Sequence, residues 1–396
     1  MLAASSVKAE RKMTQVPENS REIEKWLKLT HADEVGSVTF GKLIKRFGSV
    51  DAALGASVSG LMKVEGIGAT IAERIAASRD KFDSGAELEL AGKLGVWIAH
   101  MEDPRYPPAL RQIYDPPPVL YIKGTLDRAD NLAIGIVGCR RCSLYGQEQS
   151  SRLAHLLAAA GFTIVSGMAR GIDTAAHTGA LAAEGRTLAV QGCGLSRVFP
   201  PENAKLFELI SASGACISEL PLRAEPLAEN FPPRNRIIAG LSLGTIIVEA
   251  SLRSGALITA QAALESNREV MAVPGKVDSP LSQGPHRLIK EGAKLVETVE
   301  DVMEALGYIG DQLKDHTALT AKETIEKVEM PLLETVKFNL KGHEKTIYEV
   351  LGKEPLHIDQ LIADTSLPAG AVNAGVVSLR LKGLIKQLPG NLFAKR

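Results

Sequence analysis

Short apolar runs alternate with helix-length segments from about residue 131 onward. Each run is mostly aliphatic and is bounded by glycine or proline, which is typical of short buried strands. Strands that are apolar throughout are covered on both faces, so the pattern predicts a parallel sheet between two layers of helices. The fold class is therefore predicted as α/β, with a Rossmann-like core at 131–309. The six runs lie at 133–137, 163–165, 187–190, 215–217, 245–248 and 270–273.

The N-terminal part of the chain has a different pattern. Residues 1–20 are polar without an apolar period and predict a disordered tail. Residues 21–80 predict short helices separated by glycines, and the turn Gly66-Ile67-Gly68 joins two of them in the manner of a helix-hairpin-helix (SAM-like) module. Repeated prolines exclude regular helix in much of 81–130, which is predicted to be a Pro-rich linker or extension.

The C-terminal part predicts a second small module. Residues 310–336 show neither strand runs nor a strong helical period and predict a linker. Residues 337–396 end in a β-hairpin signal around Pro389-Gly390-Asn391, which together with the helices before it favours a winged helix. The helical patterns of this module lie at 343–351, 357–363 and 369–382.

Composition narrows the function classes. The 396 residues include 46 Lys and Arg and 46 Asp and Glu, so the net charge is zero and an anionic partner has to be bound by a local patch. Four cysteines are too few for a disulfide framework, which favours a reducing cytoplasm. The first residues lack the apolar core of a signal peptide. No apolar run approaches the roughly 18 residues that span a bilayer, so no membrane insertion is expected.

Glycine and arginine follow two neighbouring strands of the predicted sheet. Gly138 and Arg140 come after the first strand, and Ser166, Gly167 and Arg170 come at the end of the second. Ligands of parallel sheets bind at the carboxyl ends of the strands, and guanidinium groups suit oxyanions such as phosphate. The G-x-G-x-x-G spacing of dinucleotide-binding proteins is missing. We therefore predict a phosphate cradle shared by two loops, with an Asp173–Arg170 pair at the helix start as the structural alternative.

A second polar cluster opens the helix after the fourth strand. Arg234 and Arg236 flank Asn235, and Phe231 precedes them. The Phe231 ring could stack on a base or could hold the loop to the core. Glu249, after the next strand, is expected to orient an arginine of the pocket rather than to act as a general base.

No convincing catalytic set is present. Cys139 and Cys142 form one C-x-x-C without a second pair or a nearby histidine, which argues against zinc. The G-x-S-x-G, H-E-x-x-H and P-loop motifs are absent from the sequence. We expect no metal, no cofactor and no enzymatic activity.

Several sequence blocks resemble the DNA-processing protein A (DprA/Smf) family. They include VGCRRCSLYG, SGMARGIDTAAHTGAL, FPPRNRIIAGLS and VEASLRSGALITA, between about 135 and 300. The resemblance implies a non-enzymatic protein that binds single-stranded DNA, protects incoming DNA during natural transformation and loads the RecA recombinase. It also implies a homodimer. The strand-binding residues that it implies are Gly138, Arg140, Ser166, Gly167, Arg170, Phe231 and Asn235.

Two positions depart from the family pattern. Cys139 stands where the family usually has Ser or Thr, which removes a good hydroxyl donor. The segment PLAEN before Phe231 lacks a lysine that some relatives have, so binding would depend more on Arg234 and Arg236.

Two other functions remain open on the sequence. One is a nucleotide-processing hydrolase of the related Rossmann-like phosphoribohydrolase group, in which Arg234, Gly244-Thr245 and Glu249 would be catalytic, although the expected Pro-Gly-Gly-x-Gly-Thr loop is missing. The other is a regulator that binds duplex DNA through the winged helix, where nine basic residues stand against five acidic ones from Lys337 to Arg396.

The dimer contact can be placed on the sequence. His286, Ile289 and Leu295 follow the last strand, and the two aliphatic residues are apolar in a stretch full of charge. We predict that they form a two-fold patch at the edge of the sheet. Alternatively, they are core residues of a final helix and strand.

Overall fold

A computed structural model gives the structure of residues 18–307 without a gap and of shorter segments after residue 342. These segments are 343–351, 356–365, 367–368, 371–372, 376, 379, 385–388 and 392–395. The chain divides into two compact units, Met1–Thr320 and Ala321–Arg396. Much of the predicted tail, the predicted linker at 310–336, most of the predicted helix at 369–382 and the turn at 389–391 lie outside the described residues.

Six helices form the N-terminal module of the first unit. Its core contains Trp26, whose ring stacks on Phe40 at 5.1 Å and on His100 of the neighbouring sheet at 4.7 Å. Gly66 turns the chain between the fourth and fifth helices with φ +85°, a left-handed conformation that favours glycine. The helices are α1 (Glu18–Thr30), α2 (Ser37–Phe47), α3 (Val50–Leu54), α4 (Val58–Leu61), α5 (Ala69–Ser78) and α6 (Ser84–Leu94).

A nine-stranded sheet follows, and all six predicted strands are present within a residue or two of their predicted bounds. The parallel strands are β3 (Ala133–Val137), β4 (Thr163–Ser166), β5 (Thr187–Val190), β6 (Ala215–Ser218), β7 (Gly244–Ile247), β8 (Glu269–Ala272) and β9 (Lys294–Leu295). β1 (Val96–His100) and β2 (Val119–Gly124) were not predicted. β2 pairs antiparallel with β6, and β1 pairs antiparallel with β2. With α6, these strands make much of 81–130 regular structure rather than linker. The strand order is β1-β2-β6-β5-β4-β3-β7-β8-β9.

Helices cover both faces of this sheet, as predicted. One face packs against α8 (Leu144–Ala159), α9 (Ile172–Ala182) and α14 (Val299–Ala305). Gly179 lets α8 and α9 approach closely, because a Cβ there would lie 2.2 Å from the Ser151 carbonyl oxygen. The remaining helices are α7 (Pro108–Arg111), α10 (Ala204–Ser213), α11 (Phe231–Leu241), α12 (Ala256–Glu265) and α13 (Gln283–Lys290).

The strand order has a switch point between β3 and β7. The chain runs outward from β3 through β4 and β5 to β6, then returns by way of α11 to β7 on the other side of β3. At such a point the connections leave in opposite directions and open a crevice at the carboxyl ends of the strands. The topology therefore places a ligand crevice beyond Val137, the last residue of β3.

The second unit is a winged helix. It contains α15 (His343–Val350) and α16 (Ile358–Thr365), with strands β10 (Leu356–His357), β11 (Ile385–Leu388) and β12 (Leu392–Lys395). β12 pairs antiparallel with both other strands, so the predicted terminal hairpin has its two strands. Ile347, Leu361 and Phe393 belong to its own small core.

Candidate nucleic-acid interface

A pocket of about 320 Å³ occupies the crevice at the switch point. The loop after β3 forms one wall, and the first residues of α11 and α12 form the opposite side. Five of the predicted site residues line this core pocket: Gly138, Arg140, Phe231, Arg234 and Asn235.

Two guanidinium groups lie close to one aromatic ring in the core pocket. The Cζ atom of Arg140 is 5.1 Å from the centroid of the Phe231 ring, and that of Arg234 is 5.7 Å from it. The Phe199 ring supports Phe231 from the side at 5.6 Å. Arg140 is exposed and has no ion-pair partner among the described residues. Its charge and the half-buried ring are therefore both available to a ligand.

Arg234 is buried next to the Phe231 ring and is fixed by hydrogen bonds. It is 5% exposed and donates from Nη1 to the carbonyl oxygens of Gly167, at 2.6 Å, and Val190. Its Nε donates to Oδ1 of Asn235 at 3.2 Å, and Nδ2 of Asn235 donates to the Gly255 carbonyl at 3.3 Å. Burial lowers the pKa of Arg234 to about 10, which still leaves it charged at neutral pH. The floor of the pocket is thus a fixed cation.

Asp173 is the buried counter-charge. Its Oδ2 accepts from the Ala169 N–H at 3.3 Å, and its Oδ1 is buried without a hydrogen-bond partner among the described residues. Burial raises the pKa of Asp173 to about 6, and the nearby Arg234 charge opposes that rise. Asp173 thus holds the loop after β4 through Ala169, and Arg170 pairs with Glu202, so the predicted Asp173–Arg170 pair is not formed.

Two glycines bring the backbone close to this network. A Cβ on Gly138 would lie 2.5 Å from the Ile172 side chain, and a Cβ on Gly167 would lie 2.6 Å from the Arg234 guanidinium. Gly167 lies under Arg234 and contacts it through its carbonyl oxygen. Glycine at these positions is therefore needed for close packing of the two loops.

The other four predicted site residues do not line the core pocket: Gly167, described above, Ser166, Arg170 and Arg236. Ser166 is fully buried and its hydroxyl donates to the Ile136 carbonyl at 2.6 Å, so it fastens β4 to β3 instead of facing a ligand. Arg170 points away and pairs with Glu202, with Nη2 3.0 Å from Oε2.

Arg236 also pairs with carboxylates instead of lining the core pocket. Its Nε lies 3.0 Å from Oδ2 of Asp115, and its Nη2 pairs with Glu219. Burial raises the pKa of Glu219, and the Arg236 charge opposes that rise. Arg236 therefore fastens α11 to the loop before β2.

Glu249 does not orient an arginine, contrary to the expectation above. It is 3% exposed and accepts from the backbone N–H and the hydroxyl of Ser143, at 2.8 and 2.5 Å. It thereby fixes the start of α8. Thr245 is buried within β7, so the residues of the alternative hydrolase do not meet: Arg234 lines the core pocket and Glu249 and Thr245 do not.

Cys139 lies at the rim of the core pocket. Its Sγ is 3.5 Å from the Arg141 carbonyl and 3.9 Å from a Glu249 carboxylate oxygen. Burial and the Glu249 charge raise the pKa of this thiol to about 12, so it is a weak donor and not a reactive thiolate.

The residues of the predicted dimer patch lie at one edge of the sheet. β9 is the last strand of the sheet, and Leu295 on it is 45% exposed. Ile289 on α13 is half-buried, and Nε2 of His286 accepts from the Gly275 N–H at 3.3 Å.

Neither a candidate membrane span nor a metal-binding cluster occurs among the described residues. None of their helices is both long and apolar enough to pass through a bilayer. No group of three or more His, Cys, Asp or Glu side chains among them is placed to hold a metal ion.

The fold and the pocket define a Rossmann-like binding protein that carries a helix-hairpin-helix module and a winged helix. Three family models match the chain: DNA recombination-mediator protein A at 97–307, the DprA-like N-terminal HHH domain at 20–69, and the DprA winged helix domain at 335–391. The chain belongs to the DNA recombination-mediator protein A (DprA/Smf) family.

Individual relatives agree with this assignment. Protein Smf of Synechocystis is 35% identical over 390 residues, which are 94% of this chain and 98% of the relative. The DNA processing protein DprA of Streptococcus pneumoniae is 45% identical over 201 residues, covering 51% of this chain and 71% of the relative. The X-ray structure of DprA from that species superposes with a TM-score of 0.62 at 36% identity, over 72% of this chain and 97% of that one.

Proposed function

We propose that this chain binds single-stranded DNA in the core pocket and acts as a recombination mediator in the cytoplasm, protecting incoming DNA and loading RecA. The observation that carries the proposal is the closeness of the half-buried Phe231 ring to the guanidinium groups of Arg140 and Arg234. A base of any type can stack on such a ring once it is free of a duplex, so binding does not depend on the DNA sequence. Guanidinium groups bind the adjoining phosphates.

The shape of the pocket favours single strands over duplex. Phe231 is half-buried in a crevice, so a base has to leave a duplex to reach it. No large basic surface is required, which agrees with the zero net charge of the chain. Membership of a family of DNA recombination mediators supports the same function.

The test is a titration of labelled oligo-dT and of a matching duplex at two salt concentrations. With about two to four phosphates engaged, the slope of log affinity against log salt should lie between about −1.4 and −2.8. Tighter, sequence-specific binding of the duplex would instead assign DNA binding to the winged helix.

Two arginine variants locate the site. Arg140→Ala should weaken oligo-dT binding about 10- to 150-fold, because a charge-assisted contact to DNA is lost. The variant should fold, because the exposed Arg140 side chain makes no ion pair among the described residues and only the contact with the Phe231 ring is lost. Arg170→Ala removes the same charge from the next loop, but Glu202 already pairs with that charge, so its effect should be smaller. Equal binding by wild type and a folded Arg140→Ala variant would refute the site.

We also infer that the chain forms a homodimer through the edge of the sheet near Leu295. The proposal is supported by the aliphatic side chain exposed on an edge strand and by the half-buried Ile289. Unpaired strand edges readily pair with a second copy. Two joined pockets could then bind one DNA strand with added avidity.

A further inference from the structure

Three hollows lie side by side on the first unit. The core pocket shares Pro232 and Ile258 with a second hollow of about 660 Å³. That hollow shares Tyr114 with a third of about 340 Å³, which is lined by Lys42 and Lys45 of α2. The shared lining residues thus place the three hollows in a row from the core pocket to the helix-hairpin-helix module, and this row is called the groove below.

Tyr114 lies where the second and third hollows meet. It is 84% exposed and has no hydrogen-bond or ring partner among the described residues. It follows α7 in a loop that ends in Pro116-Pro117-Pro118, and prolines restrict the backbone. A large aromatic side chain on a stiff loop is a stacking surface for a nucleic-acid base.

One face of α2 supplies positive charge at the far end of the groove. Val38, Gly41, Lys42 and Lys45 have the spacing of one helix face, and all four line the third hollow. Nζ of Lys42 donates to the Glu65 carbonyl at 3.2 Å. Lys45 is exposed and has no ion-pair partner among the described residues, so its charge is available to a phosphate.

The second hollow differs in character from both ends. Its walls include Pro232, Pro233 and Ile258, which suit bases better than phosphates. Of its two carboxylates, Asp115 is paired with Arg236, and Glu265 accepts from Nε2 of Gln261 at 2.9 Å. Cations are thus placed at both ends of the groove, and the middle combines apolar surface with the exposed carboxylate of Glu265, which a DNA strand has to pass.

We propose that a DNA strand leaving the core pocket crosses the second hollow, stacks a base on Tyr114 and ends with its phosphates at Lys42 and Lys45. The proposal rests on single-strand binding in the core pocket. It makes the helix-hairpin-helix module a second contact for the same strand, so a short oligonucleotide fills the core pocket only, whereas a longer one also reaches α2.

The experiment compares unlabelled oligo-dT of about 4 and about 16 nucleotides as competitors for a labelled strand, with the full chain. Tyr114→Ala should lower the affinity for the long oligonucleotide at least about 5-fold and leave the affinity for the short one unchanged. Lys45→Ala should make the salt slope for the long oligonucleotide shallower by about 0.7. Lys205→Ala is the matched control, because this exposed lysine of α10 lines none of the three hollows.

The outcomes separate the two proposals. The groove proposal is overturned if the Tyr114 and Lys45 variants both bind the long oligonucleotide as tightly as the wild type. It is also overturned if the variants lose equal affinity for the short and the long oligonucleotide. If the unaltered protein binds neither length, single-strand binding in the core pocket itself fails. Circular dichroism checks folding, which the high exposure of Tyr114 should preserve.

Discussion

Gly167→Ala tests the architecture of the core pocket with a single methyl group. A Cβ at this position would lie 2.6 Å from Nη1 of Arg234 and 2.7 Å from both Cζ and Nη2. Real Cβ atoms essentially never approach heavy atoms closer than 3.0 Å. The guanidinium group must therefore move, although Arg234 is only 5% exposed and has little space around it.

The expected loss of stability follows from the hydrogen bonds that Arg234 makes. Moving it breaks or lengthens hydrogen bonds from a charged group to the carbonyl oxygens of Gly167 and Val190, each contributing about 1.5 to 3 kcal/mol. Overpacking by a methyl group adds about 1 to 3 kcal/mol, partly through the same displacement. We expect the free energy of unfolding to fall by about 2 to 4 kcal/mol. Single-strand affinity should fall about 10-fold, because Phe231 loses the cation beneath it.

Urea denaturation and oligo-dT anisotropy measure the two effects. Gly92→Ala in α6 is the control: a Cβ there meets nothing within 4 Å, and alanine in a helix should stabilise by about 0.5 to 1 kcal/mol. In an Arg234→Met background the flexible side chain can move aside, so Gly167→Ala should cost less than in the wild type. A fully stable Gly167→Ala variant with wild-type affinity would refute the reasoning.

Three further predictions concern the edge, a buried histidine and a buried hydroxyl. Leu295→Glu should give a folded monomer in light scattering. Leu209→Glu is the control, because this exposed leucine of α10 lies away from the edge and the variant should stay dimeric. Burial and Arg234 lower the pKa of His177 to about 3, whereas the unfolded residue titrates near 6.5. His177 therefore takes up its proton mainly in the unfolded chain, and the free energy of unfolding falls as pH drops below 6.5. His177→Gln should reduce this loss by about 2 kcal/mol at about pH 5, as measured by urea titrations. Ser166→Ala should cost about 1 kcal/mol of stability without changing DNA affinity, and a large loss of affinity with intact stability would make its hydroxyl a ligand contact.

The parallel strands could be predicted because their signal is local. A buried strand between two helical layers is apolar at every position, and glycine or proline marks its ends. β1 and β2 carry a similar signal, with Val96-Trp97-Ile98-Ala99 after Gly95 and Val119-Leu120-Tyr121-Ile122 between Pro118 and Gly124. They were missed because the prolines around them were interpreted as a linker. Their strand conformation depends on pairing with each other and with β6, which follows β2 only after about 90 residues of chain. The local pattern can thus indicate the two strands, but it cannot reveal which strands they pair with or in which direction.

The arginines show the same division between local and long-range information. Topology alone places residues that follow parallel strands at the ligand edge of the sheet, which is why the position of Arg140 could be predicted. Whether a guanidinium there is available depends on carboxylates that other elements bring to it. Glu202 from the loop after β5 reaches Arg170, and Asp115 and Glu219 from two separate loops reach Arg236. Arg140 has no such carboxylate among the described residues, so an arginine after a strand predicts the place of an anion site, and the distant acids decide whether its charge is free to bind.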